Sequence, residues 1–420
     1  MRTVMVCPDL RVDRRILQEA QTLSAHGHEV ILFAGWSKDL PKVEQQDHVR
    51  ILRPAPPTPT AWEKIFEQTN GYVRRHSVLK HGRMLFTLST RIAQYFMRGC
   101  QSLTPLEREL IHQICDLQPD YLHVHDLPQL RLGVEVKKLL GVPLIYDAHE
   151  LFPALEHLGW AYRKVWHRRE QRYLPWVDRV ITVNPLVAEE MQNRYRIAMP
   201  TVIQNAIDSP PDFDPTVRHT KLRDELGLSP DQKILLYQGC LLRSRGLEPL
   251  IDAMSSVQAP VHLVLLGYGD LKELLRARIA QLPGATRVHL LDAVPHEELL
   301  GWTASADAGV IPYQAKDLNK KLVSPNKLYE FIQAGLPMLS NDLPMLRRMI
   351  GEQELGLLWS FSDASSYARG IDAFFADEER VRAYRHHVLF ARQTINWRNE
   401  GKKLLALYEQ LPKSGARLAA

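Results

Sequence analysis

The sequence predicts an α/β chain of two Rossmann-like, doubly wound domains facing each other across a cleft. Three observations carry this. The chain has 420 residues, more than one core accommodates, since single cores stop growing at roughly 250–300 residues. Short apolar, β-branched runs alternate with segments of helical period through almost its whole length, the pattern of parallel α/β units. That plan is laid out twice. Between the two runs lies the Pro- and Asp-rich stretch Ile207–Pro215, which continues neither a helix nor a central strand.

In the first domain, 1–206, strands are expected at Thr3–Cys7, Glu29–Phe33, Val49–Leu52, Tyr121–His125, Pro143–Tyr146, Arg179–Val183 and Thr201–Gln204. Helix Arg14–Ala25 carries Ile16, Leu17, Ala20 and Leu23 on one face, and Gly27 stops it. A linker over 207–230 leads to the second domain, 231–392. Its strands are expected at Lys233–Gln238, Val261–Leu266, Arg287–Leu290, Ala308–Ile311, Met338–Ser340 and Gly356–Trp359. Ligands of doubly wound sheets sit beyond the carboxyl ends of the strands, so functional residues are sought just after strands.

Composition narrows the class. Hydrophobic residues at 45% and charged residues at 24% are ordinary for a globular chain and exclude long disorder. A net charge of +5 is small and diffuse, so no nucleic-acid partner is expected. The four cysteines, Cys7, Cys100, Cys115 and Cys240, have neither Cys-x-x-Cys spacing nor a histidine at zinc-ligand spacing, which reads as reduced thiols without a metal. The N-terminus enters a strand with no leader pattern, and no apolar run approaches the roughly 18–20 residues of a span. A cytoplasmic protein is expected.

One segment breaks the alternation. A helical insert at about 61–99 carries Arg74, Arg75, Lys80, Arg83, Arg91 and Arg98 against Glu63 and Glu67. Two readings stay open: a solvated pair of lid helices, or a patch for anionic lipid or a lipid-phosphate acceptor at the inner face of the membrane. Such a patch gains roughly 1 kcal/mol per basic residue near the surface. The Trp160–Trp176 stretch is a candidate extension of it.

The strongest chemical signal is Ser324-Pro325-Asn326-Lys327-Leu328-Tyr329-Glu330, continuing to Gly335-Leu336-Pro337. Pro325 opens a helix whose first N–H groups, near Asn326 and Lys327, make an anion site. Glu330, one turn in, is placed to accept from a ribose diol, although a first-turn glutamate favouring the helix dipole is an equal reading. Gly239 ends a strand, and Arg243 and Arg245 follow it before a helix, where guanidinium groups suit a diphosphate. Gly267-Tyr268-Gly269 adds only consistency. In the first domain His125-Asp126 and His149-Glu150 each follow a strand, a plausible acid/base and hydroxyl-binding pair, with no metal-ligand spacing.

Together these residues resemble glycosyltransferase family 4, retaining enzymes of the GT-B fold, over nearly the whole chain. Asp9–Arg15, His26–Val30, His125–Pro128, Asp147–Glu150, Ile181–Asn184, Val202–Asp208, Arg245-Gly246, Pro325–Pro337 and Asn396–Arg398 carry the likeness in order. It implies that Glu330 binds the nucleotide ribose and Arg243 or Arg245 the diphosphate of a nucleotide-sugar donor. Ser324, Asn326 and Lys327 would cradle phosphate and sugar, with Gly239 beside them and main chain at Ala293 and Val294 on the base. His125 would lie over the sugar, and Asp126 and Glu150 are the carboxylates to test as acceptor base. His149, Arg14 and Arg15 fall on the acceptor side. Residues 393–420 would pack back on the first domain. The acceptor would be a glycan or lipid-linked hydroxyl, with a polysaccharide pathway the expectation, and transfer would need neither metal nor cofactor.

Two features depart from the pattern. Leu322 stands where the family's first glutamate is usual, eight positions before Glu330, and the paired glycines of the first loop are replaced by Asp9–Arg15. A nucleotide-sugar 2-epimerase and a non-catalytic sugar-nucleotide-binding subunit are the rival readings.

Overall fold

Each half of the chain is built on one parallel sheet, and the strands are almost wholly apolar because helices cover both faces. The computed structural model describes residues 1–55, 103–155, 158–282 and 287–412. The basic insert at about 61–99 and Cys100 lie outside the described residues.

The first sheet contains β1 (Arg2–Val6), β2 (Glu29–Phe33), β3 (Val43–Gln46), β4 (Val49–Leu52), β5 (Tyr121–His125), β6 (Leu144–Ala148), β7 (Arg179–Thr182) and β8 (Thr201–Val202). They run in the order β3-β4-β2-β1-β5-β6-β7-β8. The pairings from β4 through β7 are parallel, and β3 lies antiparallel on β4. The second sheet contains β9 (Lys233–Gln238), β10 (Val261–Leu266), β11 (Val288–Leu291), β12 (Ala308–Ile311), β13 (Met338–Asn341) and β14 (Gly356–Trp359). Its order is β11-β10-β9-β12-β13-β14, parallel throughout. Chain direction across each sheet reverses at one place, between β1 and β5 and between β9 and β12. Those two switch points are where such sheets hold ligands.

Most expected strands stand within a residue or two of their expected bounds, but β3 was not foreseen. Its Val-Glu-Gln-Gln sequence has no apolar alternation, because it is an edge strand with no buried face. Helix Arg14–Ala25 has the expected bounds, yet its buried face is Arg15, Ile16, Glu19, Ala20 and Leu23. Two charged side chains therefore point into the core.

The division between halves also differs from expectation. One unit comprises Met1–Thr182, Met191–Thr201 and Leu405–Ala420, the other Val183–Glu190 and Val202–Leu404. The stretch expected as a linker is part of the second unit. Ile207 and Leu222 are buried in its core with Ile234 and Leu236, and Phe213 packs against it. Arg223, in helix Lys221–Leu226, is tied to Ser305 O and to Asp307 Oδ2 at 2.6 Å. Prolines break regular structure there without freeing the chain, because apolar residues between them dock. Helix Trp397–Glu409 begins in the second unit, where Glu400 accepts from Gln204 N at 2.9 Å, and its last turn belongs to the first. No helix among the described residues is long and apolar enough to cross a membrane.

Candidate functional site

In the second unit the polar residues gather at the β9/β12 switch point. Gln238 ends β9, and Gly239 follows with φ +109°, a backbone open to glycine. A Cβ on Gly267, at the end of neighbouring β10, would stand 2.0 Å from Gly239 O. The Gly267-Tyr268-Gly269 stretch thus serves close packing of two strand ends. Arg243 and Arg245 lie on the loop beyond. Arg243 is exposed, and the Arg245 guanidinium lies 4.2 Å from the ring centre of Tyr313, two residues past β12.

Helix Asn326–Gln333 points its start at the same place. The Lys327 amine sits 3.4 Å from the Tyr237 ring centre and 5.0 Å from that of Tyr313. It is buried and has no hydrogen-bond partner among the described residues. Burial, and then the Arg245 charge, push it well below the usual lysine range. An amine held among aromatic rings at a strand end, with no hydrogen-bond partner among the described residues, is left for another group to satisfy.

Glu330, on the same helix, is buried and accepts from Gln238 Nε2 at 2.6 Å. Ser324 is buried on the loop before the helix and Asn326 is exposed. Asn184 donates to Leu322 O at 2.8 Å and to Ser324 Oγ at 3.2 Å, and Asn205 donates to Asn326 Oδ1 at 3.0 Å. The loop that lacks the usual first glutamate is thus braced by amide side chains. Val294 is half-buried just past β11.

In the first unit a buried charged cluster fills the β1/β5 switch point. Asp147, in β6, takes the Arg15 guanidinium on both oxygens, at 3.0 to 3.2 Å. Arg15 Nε also stands 3.0 Å from Glu19 Oε1. His123 and His125, on one face of β5, stack at 4.4 Å between ring centres. His123 Nδ1 lies 3.0 Å from Tyr408 Oη, and His125 Nδ1 lies 3.2 Å from His149 Nε2. Asp126 sits at φ +64°, unusual for a non-glycine residue, and accepts from His149 N at 3.3 Å. Arg14 is half-buried at the start of its helix, and Glu150 is half-buried two residues past β6.

The charges of this cluster sort themselves. Burial pushes the Asp147 carboxyl up, but Arg15 and His149 hold it well below the usual carboxylate range. Burial opposes charge on His149 as well, yet Asp126 and Asp147 raise it to about 10. Burial and the Asp147 charge push Glu19 well above the usual range. Burial keeps His123 and His125 neutral. Glu19, His123, His125 and Asp147 each bring a ligand-type atom within 4.8 Å of the others. Arg15 already lies against both carboxylates and supplies the cation such a group calls for.

Placement of the expected residues is therefore uneven. Gly239, Arg245, Lys327 and Glu330 converge on one strand end, while Arg243 is exposed and Val294 lies on the loop past β11. Arg15, expected to face an acceptor, is committed inside the first core. Gln238, Thr303, Tyr313 and Glu19 were missed. A polar residue closing the apolar run of β9, and a glutamate at the core position between Ile16 and Leu23, were the signals available.

Residues 12–209 match Glycosyltransferase Family 4 and residues 219–387 match Glycosyl transferases group 1. The fold is that of the GT-B architecture. In sequence, the two halves of the chain are similar to family 4-type glycosyltransferases.

Among curated relatives, an uncharacterized glycosyltransferase of Methanocaldococcus jannaschii is 27% identical over 271 residues, 61% of this chain. D-inositol 3-phosphate glycosyltransferase of Arthrobacter sp. is 27% identical over 291 residues, 64% of this chain. The match spans 66% of each relative's own length, just short of two thirds. Among solved structures, HepE of Anabaena in complex with UDP superposes with a TM-score of 0.70 at 15% identity, covering 98% of this chain and 100% of that one.

Proposed function

We propose that the chain transfers a sugar from a nucleoside-diphosphate donor to a hydroxyl of a glycan or lipid-linked acceptor, with retention and without a metal. The observation that carries this is the buried Lys327 amine, without a hydrogen-bond partner among the described residues, beside Arg245 and Gly239 and one helical turn from Glu330. A cation and a diol acceptor at that spacing suit a diphosphate and its ribose. The UDP bound by HepE, a protein of the same fold, supports the choice of ligand class.

Cleavage of the sugar–phosphate bond develops negative charge on the leaving oxygen. Lys327, Arg245 and the first N–H groups of helix Asn326–Gln333 are the groups that stabilise it. On the acceptor side, His125 presents a neutral imidazole, and Asp126 or Glu150 takes the proton of the incoming hydroxyl, which attacks from the face the phosphate leaves. The basic insert is proposed as the acceptor's or the membrane's contact.

The test is release of nucleoside diphosphate from UDP- and GDP-sugars with and without a lipid extract of cell envelopes. Acceptor-dependent release, lost in Glu330→Ala, supports the proposal. Turnover without any acceptor points to an epimerase, and no turnover under any condition overturns transfer.

A further inference from the structure

Gln238 is the last residue of β9, and its side-chain amide is buried. A buried primary amide needs partners at both ends. Its Nε2 donates to Glu330 Oε2 at 2.6 Å, and its Oε1 accepts from Thr303 Oγ1 at 2.8 Å. Thr303 is itself fully buried in helix Leu299–Ala304, where its hydroxyl also lies 2.7 Å from Leu299 O. The orientation of the amide follows from chemistry. An ionised carboxylate only accepts, so the NH₂ end faces Glu330 and the oxygen faces the hydroxyl. Three elements are thereby locked together: β9, helix Leu299–Ala304 and helix Asn326–Gln333.

From this chain of contacts we infer that Gln238 is the positioning residue for Glu330, fixing one carboxylate oxygen so that the site reads the donor's ribose hydroxyls and prefers ribo- over 2′-deoxyribonucleoside diphosphates. This rests on the donor-site reading above. A glutamate held before the ligand arrives loses little freedom on binding, which favours the complex. A held carboxylate also discriminates. A site built to bond a hydroxyl rejects the analogue lacking it, because its own buried group is left unpaired. Without the Gln238 amide this oxygen is no longer fixed, and the missing hydroxyl costs less. Thr303 acts one step further back, by holding the amide that holds the carboxylate.

The experiment is calorimetric binding of UDP and GDP, each beside its 2′-deoxy counterpart, to the full chain and to Gln238→Leu, Gln238→Glu and Thr303→Val. Melting of each variant without ligand confirms that it is folded, and Thr303→Val serves if Gln238→Leu is not. Wild type is expected to prefer the ribo form by at least about tenfold, and Gln238→Leu to bring the preference within about threefold, with Thr303→Val between them.

Gln238→Glu sets two carboxylates against each other. Its binding is expected to be weaker than that of wild type, through the repulsion between the two carboxylates. A folded Gln238→Leu or Thr303→Val with the wild-type ribo preference overturns the positioning role. Absence of any nucleotide binding by wild type overturns instead the donor-site reading beneath it.

Discussion

The Arg15 guanidinium grips both carboxylate oxygens of Asp147, 132 positions along the chain, with neither side chain reached by solvent. The pair joins the first turn of the first helix to the end of β6. Removing one partner of a buried ion pair strands the other charge, at about 3–5 kcal/mol. Arg15→Met is expected to lose that much in urea unfolding. Arg15→Lys should fall between, since an ammonium cannot fork across two oxygens. A loss below about 1 kcal/mol, the level of a surface pair, would place Asp147 in contact with water.

Beside that pair, His149 keeps its proton to about pH 10 against an ordinary value of 6.5. A base raised on folding contributes stability that is whole below its unfolded value and is lost as pH rises through the folded one. Melting temperature is therefore expected to fall between pH 7 and 10 more steeply in wild type than in His149→Gln. Parallel curves would mean that His149 is neutral in the folded protein.

Lys327 presents the opposite case. Burial and then Arg245 depress it, with Tyr237, Tyr313, Cys240 and Glu330 as its other neighbours. An entering anion favours its charged form. Binding of a nucleoside diphosphate is expected to take up a proton, read as a binding heat that differs between buffers of unlike ionisation heat. Affinity should decline as pH rises above the depressed value. Lys327→Met should bind weakly and take up none, and equal uptake in the variant would assign the proton elsewhere.

Tyr408 Oη stands 3.0 Å from His123 Nδ1, both buried. Tyr408→Phe leaves that nitrogen unpaired, at about 1–3 kcal/mol. Urea unfolding checks it. A neutral result would show that the last turn of helix Trp397–Glu409 does not hold the His123 ring.

The parts of this protein that sequence makes legible are those whose side chains follow one rule. Apolar runs such as Val261–Leu266 read as buried strands, and Gly239 and His125 read as strand ends on the edge where such sheets hold ligands. What escaped obeys two rules at once. Glu19 sits at a helix core position but is charged, and its burial is intelligible only once Arg15 and Asp147 are seen beside it. Gln238 looks like the polar end of a strand until Thr303 and Glu330, 65 and 92 positions away, close on it. The stretch from Ile207 to Pro215 has a linker's composition, but Ile207 ahead of its prolines and Phe213 between them reach the second core.

The central claim is that the second unit binds a nucleoside diphosphate through Glu330. The most direct test is a thermal-shift panel of uridine, guanosine, cytidine, thymidine and adenosine diphosphates without metal, run on wild type and on Glu330→Ala. The account predicts stabilisation by one base, lost in the variant. No shift with any nucleotide, or the same shift in both proteins, would contradict it.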